Sequence, residues 1–244
     1  MIAVQAFGTS PEADATVFAT LAEVGVARDR ALSITAHAYD PWALDGAKTI
    51  AFEIAEALDA APDRVYVPAG GGGLALSIAR GFREWQLLGR AASRPHLAVV
   101  QAEGCAPVVA SWRRGTPLAP VRAVTTAISG VQLADPPDGD ALLAALRQGE
   151  GSARAVPDEA VYAARARLAA EEGLLIEPAA ALVLAGLLAD LEDGSLSPAA
   201  AIVCVLTGSG SKDRAALERL ARHRPPFEPI PLPALGDALL TARL

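Results

Sequence analysis

Four consecutive glycines are the residues with the clearest chemical potential in this sequence. The run consists of Gly70, Gly71, Gly72 and Gly73. Since glycine lacks a Cβ atom, this backbone can take positive φ angles and bring its N–H groups close to a ligand. A helix-like pattern follows at once and points its positive end at the same place. We therefore predict an anion cradle, most often one for phosphate.

The plain alternative is a tight strand-to-helix turn that holds no ligand. Four glycines in a row cost much unfolded-state entropy if only a turn is needed, so we favour the anion cradle. The loop is not a P-loop, because no Lys-Ser/Thr pair follows it. Gly70, Gly72 and Ala75 formally match a dinucleotide fingerprint, but no acidic residue ends a second strand about 20 residues later.

A second candidate site is Leu206–Asp213, which contains Thr207 and Gly208. It too follows a buried-looking strand and precedes a helix-like pattern. In an open α/β sheet, ligands bind beyond the carboxyl ends of the strands, so the two glycine turns could face one crevice. The Thr207 hydroxyl can hydrogen-bond to a ring nitrogen. The alternative, a hydroxyl that caps a helix, is equally compatible with the sequence.

A third candidate is Glu177, a single carboxylate within the apolar run Leu174–Ala181. An unpaired buried charge is costly, so this position needs a reason. The carboxylate could complement the dipole of the helix that follows, or it could line the crevice. We favour a combination of both roles.

Short apolar runs alternate along the chain with longer helical patterns. The strand candidates are Ile2–Ala6, Val65–Val67, Leu97–Gln101 and Ile202–Leu206. The helix candidates are Pro11–Val24, Ala43–Leu58, Leu74–Gln86, Gly139–Arg147, Asp158–Glu171, Pro178–Leu191 and Lys212–Ala221. This alternation predicts an α/β protein with a mainly parallel open sheet and helices on both faces. Asp158 is the expected N-cap of its helix, and Pro178 suits a first helical turn.

Composition narrows the class of protein. The 244 residues are 52% hydrophobic and carry a formal net charge of -7, which argues against disorder and against nucleic acid or an anionic membrane as partner. We find no apolar run of about 18 residues and predict no membrane span. The two cysteines, Cys105 and Cys204, form neither a zinc motif nor a disulfide framework, which indicates a reducing cytoplasm.

Several motifs together resemble a known family. Val67–Leu74 resembles the phosphate loop of pyridoxal-phosphate enzymes of the tryptophan-synthase-β fold, fold type II. Glu177–Ala181 and Leu206–Asp213 resemble two further motifs of that fold, in the expected order and spacing. Within the fold, the chain resembles the threonine synthases from near Met1 to about Ala221. This narrower resemblance rests on Asp45–Ala55, Gly81–Glu84 and Val100–Pro107.

The resemblance implies roles for the candidate residues. The N–H groups of the four glycines, and that of Leu74, would hold the phosphate of pyridoxal 5'-phosphate. Thr207, followed by Gly208, would face the pyridine nitrogen, and Glu177 would lie near the ring. The family reaction converts O-phosphohomoserine and water to threonine and phosphate. Gly71 and Leu74 depart from threonine synthases, where asparagine is common, and the all-glycine loop is more similar to threonine and serine dehydratases.

The family holds the cofactor aldehyde on a lysine near the N-terminus. This sequence has two lysines, Lys48 and Lys212, and neither matches that position. We therefore expect no catalytic residue in this chain and noncovalent, weaker cofactor binding. The expected organisation is a remnant of the smaller domain at 1–62, a large cofactor-binding domain at 63–222, and a Pro-rich C-terminal extension at 223–244.

Three hypotheses remain open on the sequence. The chain could be half of a split enzyme, completed by an N-terminal-half partner that carries the lysine. It could be a noncatalytic cofactor-binding or interaction protein, or a truncated gene product. An amino-acid-type substrate is expected only with complementation. We also expect a homo-oligomer, because an incomplete smaller domain would expose strand edges and apolar faces.

Overall fold

The computed structural model describes residues 10–27, 37–40, 42, 44–149, 151–222 and 231–234. The predicted strand Ile2–Ala6 lies outside these residues, as does most of the Pro-rich segment. The described part of that segment contains a short 3₁₀ turn, Leu232–Ala234. Among the described residues, no helix is both long enough and apolar enough to cross a bilayer.

A four-stranded parallel sheet forms the centre of the described structure. Its strands are β1 (Arg64–Pro68), β2 (His96–Ala102), β3 (Ser152–Val156) and β4 (Ile202–Cys204). Their spatial order is β3-β2-β1-β4, and all three pairings are parallel. The predicted parallel sheet is therefore confirmed. β3 was not predicted, because its polar residues, including Arg154, break the apolar pattern expected of a strand covered on both faces.

Eight helices were found in the described residues. They are α1 (Pro11–Ala27), α2 (Thr49–Leu58), α3 (Gly73–Leu87), α4 (Pro107–Arg114), α5 (Gly139–Gln148), α6 (Asp158–Glu171), α7 (Pro178–Glu192) and α8 (Arg214–Arg222). Seven correspond to predicted helices, six of them to within three residues at each end. α2 begins six residues after the predicted Ala43, because Asp45–Lys48 forms a 3₁₀ turn, and α4 was not predicted. Pro178 lies in the first turn of α7, as expected.

The prediction that Asp158 caps α6 is wrong. Asp158 is the first helical residue, and Pro157 occupies the cap position. The Asp158 carboxylate instead accepts hydrogen bonds from the hydroxyl of Thr126, at 2.6 Å, and from the backbone N–H of Ala127, at 2.7 Å. Its side chain therefore fastens a distant loop to the start of α6.

Side chains alternate between the two faces of the sheet, and helices cover both. On one face, Tyr66 and Val100 pack in a core with α6 and α7. On the other, Val65 and Val67 pack in a second core with α2, α3 and α5. Because both faces are covered, the strand residues of β1 and β2 are almost all buried.

α2 packs closely on α3, although it belongs to the predicted 1–62 segment. A Cβ atom at Gly81 would stand only 2.5 Å from the carbonyl oxygen of Lys48 and 2.8 Å from the Cβ of Ala51. Glycine at this position therefore permits the two helices to approach. The division into domains at 1–62, 63–222 and 223–244 stays a prediction.

Candidate functional site

The glycine loop leaves β1 and turns directly into α3. Gly72 has a φ of +91°, a left-handed conformation that L side chains rarely adopt, and its carbonyl accepts the first hydrogen bond of α3 from Leu76, at 3.0 Å. Within the described part of the chain, no acceptor takes a hydrogen bond from the backbone N–H groups of residues 70–74. These donors converge with the positive end of α3, as an anion site requires.

Close packing disfavours a side chain at two of the four glycines. A Cβ atom at Gly70 would stand 3.0 Å from the carbonyl oxygen of Gly130. A Cβ atom at Gly73 would collide with the side chain of Leu44 and approach the Asp138 carboxylate to 2.8 Å. These contacts explain Gly70 and Gly73 without any ligand.

The other two glycines have different reasons. Gly72 is explained by its positive φ alone. Gly71 is not explained by conformation or packing: its φ is not in the left-handed region, and an added Cβ would meet Leu133 at an ordinary 3.4 Å and Pro137 at 3.7 Å. Among the four glycines, Gly71 is therefore the one whose identity the geometry of the turn explains least.

A cavity of about 540 Å³ lies at this carboxyl end of β1. Its walls come from the glycine loop, from the 130–138 loop, and from the segments that precede α7 and α8. The residues that line it are Phe18, Leu44, Pro68, Gly70, Gly71, Gly72, Gly73, Leu74, Gly130, Val131, Leu133, Pro137, Asp138, Glu177, Ala179, Thr207 and Lys212. The volume lies within the range of small-molecule and cofactor sites.

Every predicted site residue except Gly208 lines this cavity. Gly208 acts on its neighbour: a Cβ there would overlap the carboxyl group of Glu177, so glycine leaves room for that side chain. The carbonyl of Gly208 also accepts a hydrogen bond from the Glu177 N–H, at 3.0 Å. A direct contact between Gly208 and a ligand stays a prediction.

Glu177 points into the cavity and does not cap α7. It occupies the N-cap position of α7, but its side chain makes no capping hydrogen bond. Its Oε2 lies 3.1 Å from the Nζ of Lys212, and its Oε1 lies 3.4 Å from the Oγ1 of Thr207. Glu177 therefore lines the crevice and has a cationic partner, and its position at the N-terminus of α7 is compatible with the helix-dipole role, which stays a prediction.

Lys212 is a cavity residue that the sequence argument set aside. The signal was present, because Lys212 belongs to the same motif as Thr207. The other lysine, Lys48, is not among the residues that line the cavity. It forms ion pairs with Glu84, at 2.9 Å, and with Asp45, at 3.0 Å, and the hydrogen bonds that it donates to these carboxylates raise its pKa.

Asp138 is a second cavity residue that sequence reasoning missed. Its carboxylate accepts hydrogen bonds from the backbone N–H groups of His37, at 3.0 Å, and Ala38, at 2.8 Å. Its own N–H donates to the carbonyl of Gly71, at 3.1 Å. Asp138 therefore fixes two separate loops around the glycine turn, a role that depends on the tertiary fold and leaves no local signal.

Comparison with known proteins gives consistent results. The family model described as "pyridoxal-phosphate dependent enzyme" matches residues 4–208. The threonine synthase of Methanosarcina acetivorans is 38% identical over 176 residues, which are 71% of this chain and 44% of that protein. That of Mycobacterium tuberculosis is 33% identical over 193 residues, or 79% of this chain and 51% of that protein. The chain thus spans about half the length of these relatives.

Solved structures share the fold. The processed form of threonine deaminase isoform 2 from Solanum lycopersicum aligns with a TM-score of 0.67 at 22% identity, covering 82% of this chain and 55% of that one. Maize serine racemase aligns with a TM-score of 0.66 at 19% identity, covering 88% and 63% of the two chains. At these identities the similarity concerns the fold alone.

Proposed function

Because the chain belongs to the pyridoxal-phosphate dependent enzyme family, we propose that the cavity at the glycine loop binds pyridoxal 5'-phosphate. The phosphate is held by the backbone N–H groups of residues 70–74. The observation that carries this proposal is the set of N–H donors without an acceptor among the described residues, at the N-terminus of α3. Gly71, which the turn itself does not require, supports it.

We assign the rest of the cavity by its chemistry. Thr207 faces the ring nitrogen, because its hydroxyl is both donor and acceptor and its 3.4 Å contact with Glu177 is long enough to leave it adjustable. Glu177 lies beside the ring, with its charge partnered by Lys212. When bound, the cofactor supplies an electron-accepting ring for chemistry at the substrate's α-carbon. A neutral hydroxyl at the ring nitrogen makes the ring a weaker electron acceptor than a carboxylate would.

The proposed reaction is that of a threonine synthase, conversion of O-phosphohomoserine and water to threonine and phosphate. Identities of 33% to 38% to proteins named threonine synthase support it. A dehydratase-like reaction on threonine or serine is the second candidate. It is favoured by the all-glycine loop, and in particular by Gly71.

We further propose that a separate polypeptide supplies the lysine that holds the aldehyde. Lys48 is held by two carboxylates and is not among the residues that line the cavity, and Lys212 lies in the Thr207 motif rather than at the position of the family's lysine. In the described part of the chain, β4 pairs only with β1, so its outer edge presents backbone groups to which a further strand can be added. The same edge would also support self-association into a homo-oligomer.

Titration of the purified chain with pyridoxal 5'-phosphate tests the cofactor proposal. We expect saturable binding that is reversed by gel filtration, with no lysine adduct in the mass spectrum after borohydride treatment. The variant Lys212→Arg keeps the charge beside Glu177 and should bind the cofactor similarly. A borohydride-stable adduct on Lys212 in the wild type would contradict noncovalent binding.

Complementation tests the reaction and the partner. A polypeptide that carries the N-terminal region of a threonine synthase is added, and two products are measured in parallel. Phosphate released from O-phosphohomoserine supports the synthase reaction, whereas 2-oxobutyrate formed from L-threonine supports the dehydratase reaction. If neither product exceeds the level given by each polypeptide alone, the split-enzyme proposal fails, while the cofactor titration still stands or falls separately.

A further inference from the structure

A second cavity, of about 340 Å³, lies between α6 and α8. Its lining residues are Glu159, Tyr162, Ala163, Arg165, Ala166, Ala216, Arg219 and Leu220. None of them belongs to the glycine-loop cavity. Any ligand bound here would therefore occupy a site separate from the proposed cofactor site.

Arg165 gives this cavity its chemical character. Its side chain is almost completely buried, with 1% of the residue exposed. The Nε donates to the carbonyl of Ile176, at 2.6 Å, and one terminal nitrogen, Nη1, donates to the carbonyl of Ala216, at 2.9 Å. The other terminal nitrogen, Nη2, has no hydrogen-bond partner in the described part of the chain.

A buried cationic donor without an acceptor is unfavourable, and it is rare in folded proteins. Burial also lowers the pKa of the Arg165 guanidinium, and the negative charge of Asp213 offsets only part of this effect. An anion placed at Nη2 would satisfy the donor and compensate the charge. Carboxylates suit this role, since charge-assisted hydrogen bonds from arginine to carboxylate are strong.

The remaining walls restrict which anion fits. Ala163, Ala166 and Leu220 present apolar surface, and the ring of Tyr162 is covered by the Arg219 guanidinium, 4.1 Å from its centroid. Arg165 and Arg219 bring two positive charges to the lining and Glu159 brings one negative charge, so the charged lining residues sum to +1. A ligand with a single negative charge balances this sum, whereas phosphates and dicarboxylates would exceed it.

We propose that this cavity binds a small monocarboxylate with an apolar body. The carboxylate accepts from Arg165 Nη2, and the body packs against Ala166 and Leu220. Two kinds of ligand share this chemistry. One is a simple aliphatic carboxylate, and the other is an α-amino acid whose ammonium group would donate a hydrogen bond to Glu159.

Calorimetric titration tests the proposal, with pyridoxine 5'-phosphate present to occupy the glycine loop without offering an aldehyde. Sodium valerate should bind saturably at one site, whereas pentylamine, of similar shape but without the carboxylate, should not bind. L-norvaline separates the two kinds of ligand. Tighter binding than valerate, lost in Glu159→Gln, identifies an amino-acid site, and equal or weaker binding identifies a site for simple carboxylates.

Ala166→Leu fills the cavity without removing any hydrogen bond of Arg165, and should weaken valerate binding at least tenfold. Ala170→Leu, on an exposed position of the same helix and outside the cavity, is the matched control. The proposal is overturned if valerate shows no saturable binding to the wild type. It is equally overturned if the Ala166→Leu variant binds as tightly as Ala170→Leu.

Discussion

Both ends of β1 carry polar groups, but the two ends differ in whether those groups have hydrogen-bond partners within the protein. At the amino end, Asp190 accepts hydrogen bonds from the Tyr66 hydroxyl, at 2.6 Å, and from Arg64, at 2.9 Å, and is also paired with Arg154. Burial and the bond to Asp190 raise the pKa of Tyr66, so the phenol remains a donor at neutral pH. Polar groups at this end satisfy one another.

At the carboxyl end, the donors are left available. The N–H groups of residues 70–74 have no acceptor among the described residues, although Gly72 and Gly73 are buried. Two ends of one strand thus differ in whether the protein completes its own hydrogen bonds. The comparison teaches that charge and burial alone do not distinguish the two ends, whereas the state of the hydrogen-bond donors does, and we base the proposed anion site on that difference.

The pair formed by Glu177 and Lys212 lies between these extremes. Its carboxylate side chain is 17% exposed and its ammonium side chain 66% exposed, so water screens the attraction. Separating these two side chains when a ligand enters therefore costs little free energy. The Asp190 cluster, by contrast, has a carboxylate that is only 7% exposed, and it cannot be opened without leaving buried charges unpaired.

The largest effect that we predict comes from breaking the amino-end cluster. Asp190→Ala leaves Arg64, Tyr66 and Arg154 without their shared acceptor. It should lower the free energy of unfolding by about 3–5 kcal/mol, the range for removing one partner of a buried pair. Urea denaturation measures it.

Asp193→Ala is the control for this change. Asp193 pairs with the same Arg154, but its side chain is 45% exposed, so the loss should be far smaller. Equal losses for the two variants would show that the Asp190 cluster is no more structural than a surface pair.

Gly72→Ala should have the next largest effect, and it should lower both the stability of the protein and its affinity for the cofactor. Forcing alanine to a φ of +91° costs about 1–2 kcal/mol of stability, and any relaxation moves the N–H groups of the loop. Both the urea midpoint and the affinity for pyridoxal 5'-phosphate should therefore fall. Retention of full cofactor affinity would contradict a cradle built on this conformation.

Gly71→Ala should lower the affinity for the cofactor while leaving stability nearly unchanged. The added methyl group meets its neighbours at ordinary distances, so stability should change little. It stands on the wall of the cavity, so cofactor affinity should fall about tenfold, which corresponds to about 1.4 kcal/mol.

The control for Gly71→Ala is Gly46→Ala, at a position with open space around the added atom. This variant should change neither property. If Gly71→Ala binds the cofactor as well as Gly46→Ala does, the glycine loop is only a turn.

The parts of the molecule that could be predicted are those with a recognisable pattern within a short stretch of the sequence. β1, α3 and the glycine loop follow one another in the chain, and the apolar run, the glycines and the helical pattern are each readable alone. Thr207 and Glu177 were found because each sits in its own motif. Their common location follows from the rule that the carboxyl ends of parallel strands share one edge.

The parts that were missed depend on tertiary contacts. Asp138 reaches the glycine loop only after the chain has folded, and its partners His37 and Ala38 are about 100 residues away in sequence. β3 lies at the edge of the sheet and carries Arg154, whose charge is paired with Asp190 of α7 and with Asp193 just after it, rather than with residues near it in sequence. The Asp158 cap was mispredicted for the same reason, since a distant loop captured its carboxylate.

The smallest effects that we predict are changes of stability with pH at two exposed aspartates. Hydrogen bonds from Ser195 and Arg154 lower the pKa of Asp193 from the ordinary 3.8 to about 2. Its ionised form is thus favoured by folding, and its contribution is present above pH 3.8 and lost as the pH falls toward 2. Asp193→Asn should therefore be slightly less stable than the wild type at pH 7, and the difference should vanish in acid.

Asp135, beside the glycine-loop cavity, should behave in the opposite way. Partial burial of its carboxyl group, reinforced by the negative charges of Asp14 and Asp140, raises its pKa above the ordinary value, so folding disfavours its ionised form. Asp135→Asn should be slightly more stable than the wild type at pH 7, and this advantage should shrink as the pH falls and Asp135 takes up a proton. Urea midpoints of both variants between pH 7 and pH 2 measure the two trends. Differences of the same sign at pH 7 would contradict this contrast between the two ends of the sheet.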